Sequence, residues 1–221
     1  MTLRLPDSLD FAQGAGLIRN YYTAYFALVV RGRLRAGETV LVHGAAGGVG
    51  TATVQVAKGL GARTIAVVSS DEKERVARDA GADEVLRSQE PWKDQAKELT
   101  SGGVDVVVDP VGGERFTDSL RSLGEGGRLV VVGFTGGSIP EVKVNRLLLS
   151  NTEVVGAEWG AYVTTRPQRS REIAGALEDL IERGLISPII GARYPLTGAA
   201  DALREIDERR ATGKVILDVR D

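Results

Sequence analysis

Residues 38–62 read ETVLVHGAAGGVGTATVQVAKGLGA, and three local signals follow one another along them. Thr39, Val40 and Val42 concentrate β-branched side chains in the segment from Glu38 to His43, which predicts a strand. The run Gly44-Ala45-Ala46-Gly47-Gly48-Val49-Gly50 is a turn, and from Thr51 the alanines, valines and Lys58 fall at helical spacing. A strand, a glycine turn and a helix in that order form the setting in which backbone alone can bind a dinucleotide. Gly47 lets the main chain approach a pyrophosphate, and Gly50 lets the helix pack on the strand. The helix N-terminus supplies free N–H groups and a partial positive charge. Ala46, Gly47, Gly48 and Val49 are therefore candidate contacts. Ala45 stands where G-x-G-x-x-G has its first glycine, so the turn is a variant of that pattern.

The unit repeats downstream. Arg63 to Val68 reads as a strand, Asp71 to Ala80 as a helix stopped by Gly81, and Glu84 to Leu86 as a short strand. A helix from about Pro91 to Leu99, a strand Val104 to Val108, a helix near Glu114 to Leu123 and a strand Arg128 to Val132 follow. These strands are continuous apolar runs rather than alternating ones, as expected where both faces of a parallel sheet are buried. The alternation predicts an α/β fold with a doubly wound, Rossmann-type parallel sheet. Upstream, apolar residues at 17, 18, 21, 22, 25, 26, 29 and 30 predict a helix over about Ala15 to Leu34. Met1 to Gly16 shows no sustained period and reads as a lead-in. Beyond Gly137 a short helix is expected within Ser138 to Ser150, and a sixth strand, Thr152 to Gly156, at a sheet edge. Helices over 166–183 and 199–210 and a strand over 214–219 complete the chain. The change of rhythm divides it into a lead-in (1–21), a dinucleotide-binding domain (22–162) and a C-terminal segment (163–221).

Composition narrows the function classes. The 221 residues carry a net charge of -2, which leaves no electrostatic footprint for nucleic acid. With no cysteine and one histidine, neither a thiolate nor a multi-histidine zinc site can be assembled. No metal is expected. The longest apolar stretches, such as Tyr21 to Val30, fall well short of the roughly 20 residues that span a bilayer, and no basic-then-apolar leader opens the sequence. No membrane association and a cytoplasmic setting are expected.

Several stretches taken together resemble one family. LVHGAAGGVGTATVQVAKGLGA (41–62) is similar to the nucleotide-binding core of the zinc-independent quinone oxidoreductases of the medium-chain dehydrogenase/reductase superfamily. NYYTAYFAL (20–28), RLRAGETVLVHG (33–44), VDVVVDPVGG (104–113), GGRLVVVGFTGG (126–137), NTEVVGAEWGAY (151–162) and RRATGKVILDV (209–219) resemble the same family in order and spacing. In relatives a GroES-like barrel precedes this core, and the residues after about Thr164 return to complete it. This chain starts where that barrel would end. The resemblance thus implies a cofactor-binding portion with little turnover of its own, and a homodimer built through the sixth-strand edge.

The implied chemistry is hydride transfer from NADPH to a quinone or another α,β-unsaturated carbonyl, with an enoyl-thioester reductase module as the alternative enzyme. A noncatalytic dinucleotide-binding or sensor protein is the alternative of another class. Val68 ends the second strand where NAD enzymes carry an acidic residue for the ribose hydroxyls, which favours NADP(H). Ser69 and Ser70 follow as hydroxyl donors. By resemblance Lys73 reaches the 2′-phosphate, Thr23 lies beside the nicotinamide, and Lys214 lies near the pyrophosphate. Arg87, after the third strand, is a candidate second phosphate partner. Val111, Gly133, Phe134 and Trp159 follow strand ends at the carboxyl edge of the sheet, where ligands of open α/β folds bind. His43, just before the turn on a buried strand, reads as structural, and Asp109 as a turn-maker. No catalytic acid or base is expected, because hydride transfer needs mainly that cofactor and acceptor be held in contact.

Overall fold

Six parallel strands form one sheet in the computed structural model, which describes residues 4–219. They are β1 (Thr39–His43), β2 (Arg63–Val68), β3 (Glu84–Arg87), β4 (Val104–Asp109), β5 (Leu123–Val131) and β6 (Glu153–Gly156). Their order is β3-β2-β1-β4-β5-β6, so the winding reverses between β1 and β4. In open sheets that reversal leaves a crevice beyond the carboxyl ends of the strands. The register sets Val42 beside Ala66 on one side and Val108 on the other. The fold is the Rossmann-type α/β fold expected from the sequence.

Helices α1 (Phe11–Tyr25), α2 (Gly48–Gly59), α3 (Asp71–Asp79), α4 (Trp92–Thr100), α5 (Phe116–Ser122), α6 (Asn145–Ser150), α7 (Trp159–Thr164) and α8 (Pro167–Glu182) accompany the sheet. Side chains alternate between its faces, so β1 sends Val40 and Val42 one way and Leu41 and His43 the other. The first face packs on Tyr21, Tyr22 and Phe26 with Ala52, Val54 and Val56 of α2. The second packs Leu41, Ile65, Val67, Val107 and Leu129 under Trp92, Phe116 and Leu120. Each fully buried aliphatic side chain contributes about 1.5–3 kcal/mol.

The chain departs from the sequence reading in five places. Asp10 and Gln13 form a capping box, so α1 starts at Phe11 inside the expected lead-in. The single helix expected to Leu34 turns into a π-helical segment, Phe26–Arg31, after Tyr25. Strand β5 opens at Leu123, because an irregularity between Val104 and Val106 lets Val104 pair with Leu123. The short helix expected within 138–150 is present as α6, and the departure lies after β6, where the unexpected helix α7 begins at Trp159. An unexpected strand, β7 (Ile190–Pro195), pairs in parallel with β8 (Lys214–Asp218) in a separate two-stranded sheet, with α9 (Ala199–Asp207) between them.

The C-terminal segment is tied to the core at two places. Ile173, Leu177, Leu180 and Ile181 of α8 lie in the same apolar cluster as Tyr21 and Tyr22. Gly213 N–H donates to Ala46 O at 2.7 Å and bridges to Gly47, so the entry to β8 clasps the glycine turn.

His43 is fully buried, 2.8 Å through Nε2 from Ser119 Oγ and edge-on to Trp92. Its Nδ1 has no hydrogen-bond partner among the described residues. Burial first, and the Arg115 charge second, push its pKa down from 6.5 to about 3. The ring is therefore neutral in the folded state, whereas an unfolded chain takes up its proton at pH 6.5. Stability from this group is complete above pH 6.5 and is lost as pH falls toward 3, at about 1.4 kcal/mol per unit. Urea unfolding of the protein and of His43→Asn between about pH 7 and about pH 5 checks this. The two curves should converge as pH falls, and parallel curves would show that His43 is not linked to folding.

Candidate dinucleotide site

The turn after β1 works differently from its sequence pattern at one point. The positive φ that a tight turn requires falls on Gly44, at +58°, so Ala45 adopts an ordinary conformation where the pattern has glycine. Gly50 is fixed by packing, since a Cβ there would lie 2.1 Å from Gly44 O. A Cβ on Gly47 would touch only Gly44 O, at 3.4 Å, and its other side is open. Gly47 is the N-cap of α2 and brings no side-chain acceptor. The first-turn N–H groups of α2 thus face outward at the switch point without a capping group, which is what an incoming pyrophosphate needs. The residues present fit a dinucleotide.

Loops from neighbouring strands meet beside this turn. A Cβ on Gly44 would lie 3.3 Å from Val111 Cγ2, and one on Gly112 2.9 Å from Phe134 Cδ1. Asp109 shapes the first of these loops: its Oδ1 accepts from Val111 N at 2.8 Å and Gly112 N at 2.9 Å, as a turn-maker does. Burial outweighs those bonds and raises its pKa. Val111, Gly133 and Phe134 are accordingly brought together with the glycine turn at the carboxyl edge of the sheet. Beyond them a cavity of about 460 Å³ opens between Phe26, Arg31, Val132, Phe134, Glu158 and Tyr162. Trp159 does not line it. The indole is buried against Tyr22 and Phe26, at centroid distances of 5.2 and 6.0 Å. Thr23 is half-buried on α1.

At the end of β2 the structure separates the two predicted cations. Arg87 Nη2 lies 2.5 Å from both Asp71 Oδ1 and Glu74 Oε2, so two carboxylates offset its charge. Lys73 has no carboxylate partner among the described residues. Its Nζ donates to Arg209 O at 2.7 Å and sits 3.4 Å from Ser69 Oγ, while its backbone N–H is capped by Ser70 Oγ at 3.3 Å. Val68 is buried at the strand end. Ser69, Ser70 and Lys73 are therefore one cluster carrying an uncompensated positive charge. Lys214 follows the Gly213 clasp, with its Cβ near Gly16 of α1.

Three residues at the site escaped the sequence reading. Arg31, at the end of the π-helical segment, donates from Nε to Gly156 O at 2.6 Å and borders the cavity. Glu158 caps α7, accepting from Gly160 N at 3.1 Å and from Ala161 N. Asn20 lies against Gly48, one helical turn before Thr23. A polar residue breaking the apolar stripe Leu17-Ile18-Tyr21-Tyr22 was the available signal for Asn20. Nothing local signals the π-helical segment.

Fold and site together define a dinucleotide-binding α/β protein. Comparison with known families narrows this, since the zinc-binding dehydrogenase family matches residues 48–179. The chain belongs to that family, on the zinc-independent branch of the medium-chain dehydrogenase/reductase superfamily formed by the quinone oxidoreductases. The matched stretch contains neither cysteine nor histidine. Quinone oxidoreductase-like protein 2 of Bos taurus is 41% identical across 98% of the chain, which spans 63% of that protein. The quinone oxidoreductase of Thermus thermophilus, solved also with NADPH, is 34% identical with a TM-score of 0.87, covering 98% of this chain and 69% of its own. The Escherichia coli quinone oxidoreductase complexed with NADPH is 32% identical with a TM-score of 0.86, over 97% of this chain and 67% of its own.

Proposed function

We propose that the chain binds NADP(H) and is the cofactor-binding portion of an enzyme that passes hydride from NADPH to a quinone or another α,β-unsaturated carbonyl. The observation that carries this reading is the end of β2. There Val68 replaces an acidic residue, and Lys73 stands over Ser69 and Ser70 with no carboxylate partner among the described residues. A carboxylate at position 68 would hold ribose hydroxyls and repel a 2′-phosphate, whereas this cluster attracts one. The NADPH-bound relatives support the same cofactor.

Each part of the chain then has a task. The uncapped α2 N-terminus at Gly47–Val49 receives the pyrophosphate. Lys73, with the two serines, reads the 2′-phosphate. Val111, Gly133 and Phe134 form the wall toward the nicotinamide, and Thr23 faces it from α1. Lys214 adds positive charge on the pyrophosphate side. The bound cofactor supplies the hydride, while the residues hold and orient it and exclude water. Residues 163–221 act in our reading as the segment that in relatives returns to a catalytic barrel.

Fluorescence titration with NADPH tests the binding. Submillimolar affinity is expected, and no binding would overturn the reading. Acceptor-dependent NADPH oxidation with a simple benzoquinone tests the rest. Turnover by this chain alone should stay far below the enzyme median of about 10 per second, and a rate near that value would show that no further wall is needed.

We further propose a homodimer through β6. Among the described residues that strand has β5 on one side only, so, apart from Gly156 O, which Arg31 holds, its outer backbone groups are open at the sheet edge. Light scattering at micromolar concentration should give twice the chain mass, and Val154→Pro should give the monomer. A monomeric parent protein would refute the pairing.

A further inference from the structure

Asn20 is 7% exposed, on the face of α1 that packs against α2. Its amide lies flat against the first residue of α2. Nδ2 is 2.5 Å, Cγ 3.1 Å and Oδ1 3.2 Å from where a Cβ on Gly48 would stand. Among the described residues the amide has no hydrogen-bond partner. The residue is nine-tenths buried, yet neither amide atom is sealed from solvent, so the unbonded amide stands where a ligand arriving at the helix end can reach it.

The neighbouring groups say what that partner is. If Asn20 served to cap α2, Oδ1 would accept from a first-turn N–H, yet it does not. The first turn of α2 offers backbone donors, Nδ2 is a further donor, and Gly47 contributes no side-chain acceptor. Donors that converge with no acceptor bonded to them are completed by an anionic oxygen, which can accept from several at once.

We propose that Asn20 is a pyrophosphate-binding residue, its Nδ2 donating to a phosphate oxygen seated at the N-terminus of α2. The phosphate is then gripped from two helices, by backbone N–H groups of α2 and by a side chain of α1. Gly48 acquires a reason that the turn alone does not give: any side chain there would displace the Asn20 amide. The inference rests on the reading that this turn binds NADP(H), and the test separates the two.

Asn20→Ala and Asn20→Leu are titrated with NADPH and with adenosine 2′-monophosphate, which carries the 2′-phosphate end and no pyrophosphate. Alanine removes the donor without adding bulk, and leucine keeps the branched outline of asparagine without its donor. Both variants are expected to bind NADPH at least about tenfold more weakly, with unchanged affinity for adenosine 2′-monophosphate. The ligand-free melting midpoint of Asn20→Ala should be essentially unchanged, because the amide makes no hydrogen bond among the described residues. Unchanged NADPH affinity in either variant would overturn the inference. So would an equal loss for both nucleotides accompanied by a lower melting midpoint, since that pattern belongs to a packing residue. A parent protein that binds neither nucleotide would instead overturn the proposed function.

Discussion

Replacing Arg128 with methionine is expected to lower the free energy of unfolding by about 3–5 kcal/mol at about pH 7. Arg128 is 7% exposed on β5. It donates from Nε to Gly32 O at 2.9 Å, and from Nη1 and Nη2 to the two oxygens of Glu38 at 3.0 and 2.7 Å. This bidentate pair ties the start of β1 to the middle of β5 across the sheet. Methionine fills the space but leaves the Glu38 carboxylate largely buried, with only Arg35 N–H as a donor, at 2.9 Å. Burial, the largest single influence, would raise the Glu38 pKa; the hydrogen bonds and charge of Arg128 together with the N–H and charge of Arg35 outweigh it and hold that carboxyl below its ordinary value.

The sign of the pH effect follows. A depressed carboxylate pKa stabilises the fold above the unfolded value of 4.5, and this stability is lost as pH falls through the folded pKa. In Arg128→Met the contributions of Arg128 to that depression are gone, so the gap between variant and parent should narrow from about pH 7 to about pH 4. Urea unfolding at both pH values measures it. A loss under about 1 kcal/mol at neutral pH would place this pair with ordinary surface salt bridges.

Lys73→Ala should remove most of the preference for NADPH over NADH. One charge-assisted hydrogen bond to the 2′-phosphate contributes about 1.5–3 kcal/mol, which corresponds to roughly a 10- to 150-fold ratio. Arg87→Ala should change that ratio far less, because Asp71 and Glu74 already hold the guanidinium. Guanidinium and ammonium would be ranked the other way by intrinsic phosphate geometry, so the comparison tests whether local charge compensation decides. Competitive titration of both reduced nucleotides reads the ratio. A Lys73→Ala protein with the parent's ratio, or a larger effect at Arg87, would remove Lys73 from the cofactor reading.

The strands β1, β2 and β4 were legible almost to the residue, because a parallel strand buried on both faces must be apolar throughout and these runs have few other uses. The beginning of β5 was not, since Leu123-Gly124-Glu125-Gly126-Gly127 has no strand propensity and pairs only through an irregularity in its partner. Strand β7 was hidden for a related reason. It starts just after Pro188 and ends on Pro195, and β8, its partner among the described residues, comes only after α9. The start of α1 was legible and overlooked: Asp10 and Gln13 are three residues apart, the spacing of a capping box. At the site, chain position sufficed for the glycine turn and for Lys73, whereas the neutralisation of Arg87 depends on α3 side chains folding back over β3. The burial of Trp159 depends on α1, more than a hundred residues away. Neither relation has a local signature.

The bond from Gly213 to Ala46 has a bearing on how the protein is made. The turn between β1 and α2 is flanked by Asn20 from one end of the chain and clasped by residue 213 from the other, so its surroundings draw on segments far apart in synthesis. Strands β1 to β4 can pair while the ribosome is still translating, yet the turn lacks its clasp until residue 213 has emerged. A nascent chain arrested at about residue 185 should therefore already hold its sheet but engage nucleotide poorly, and the ability to retain cofactor would arrive last, as a sign that translation has passed the clasp.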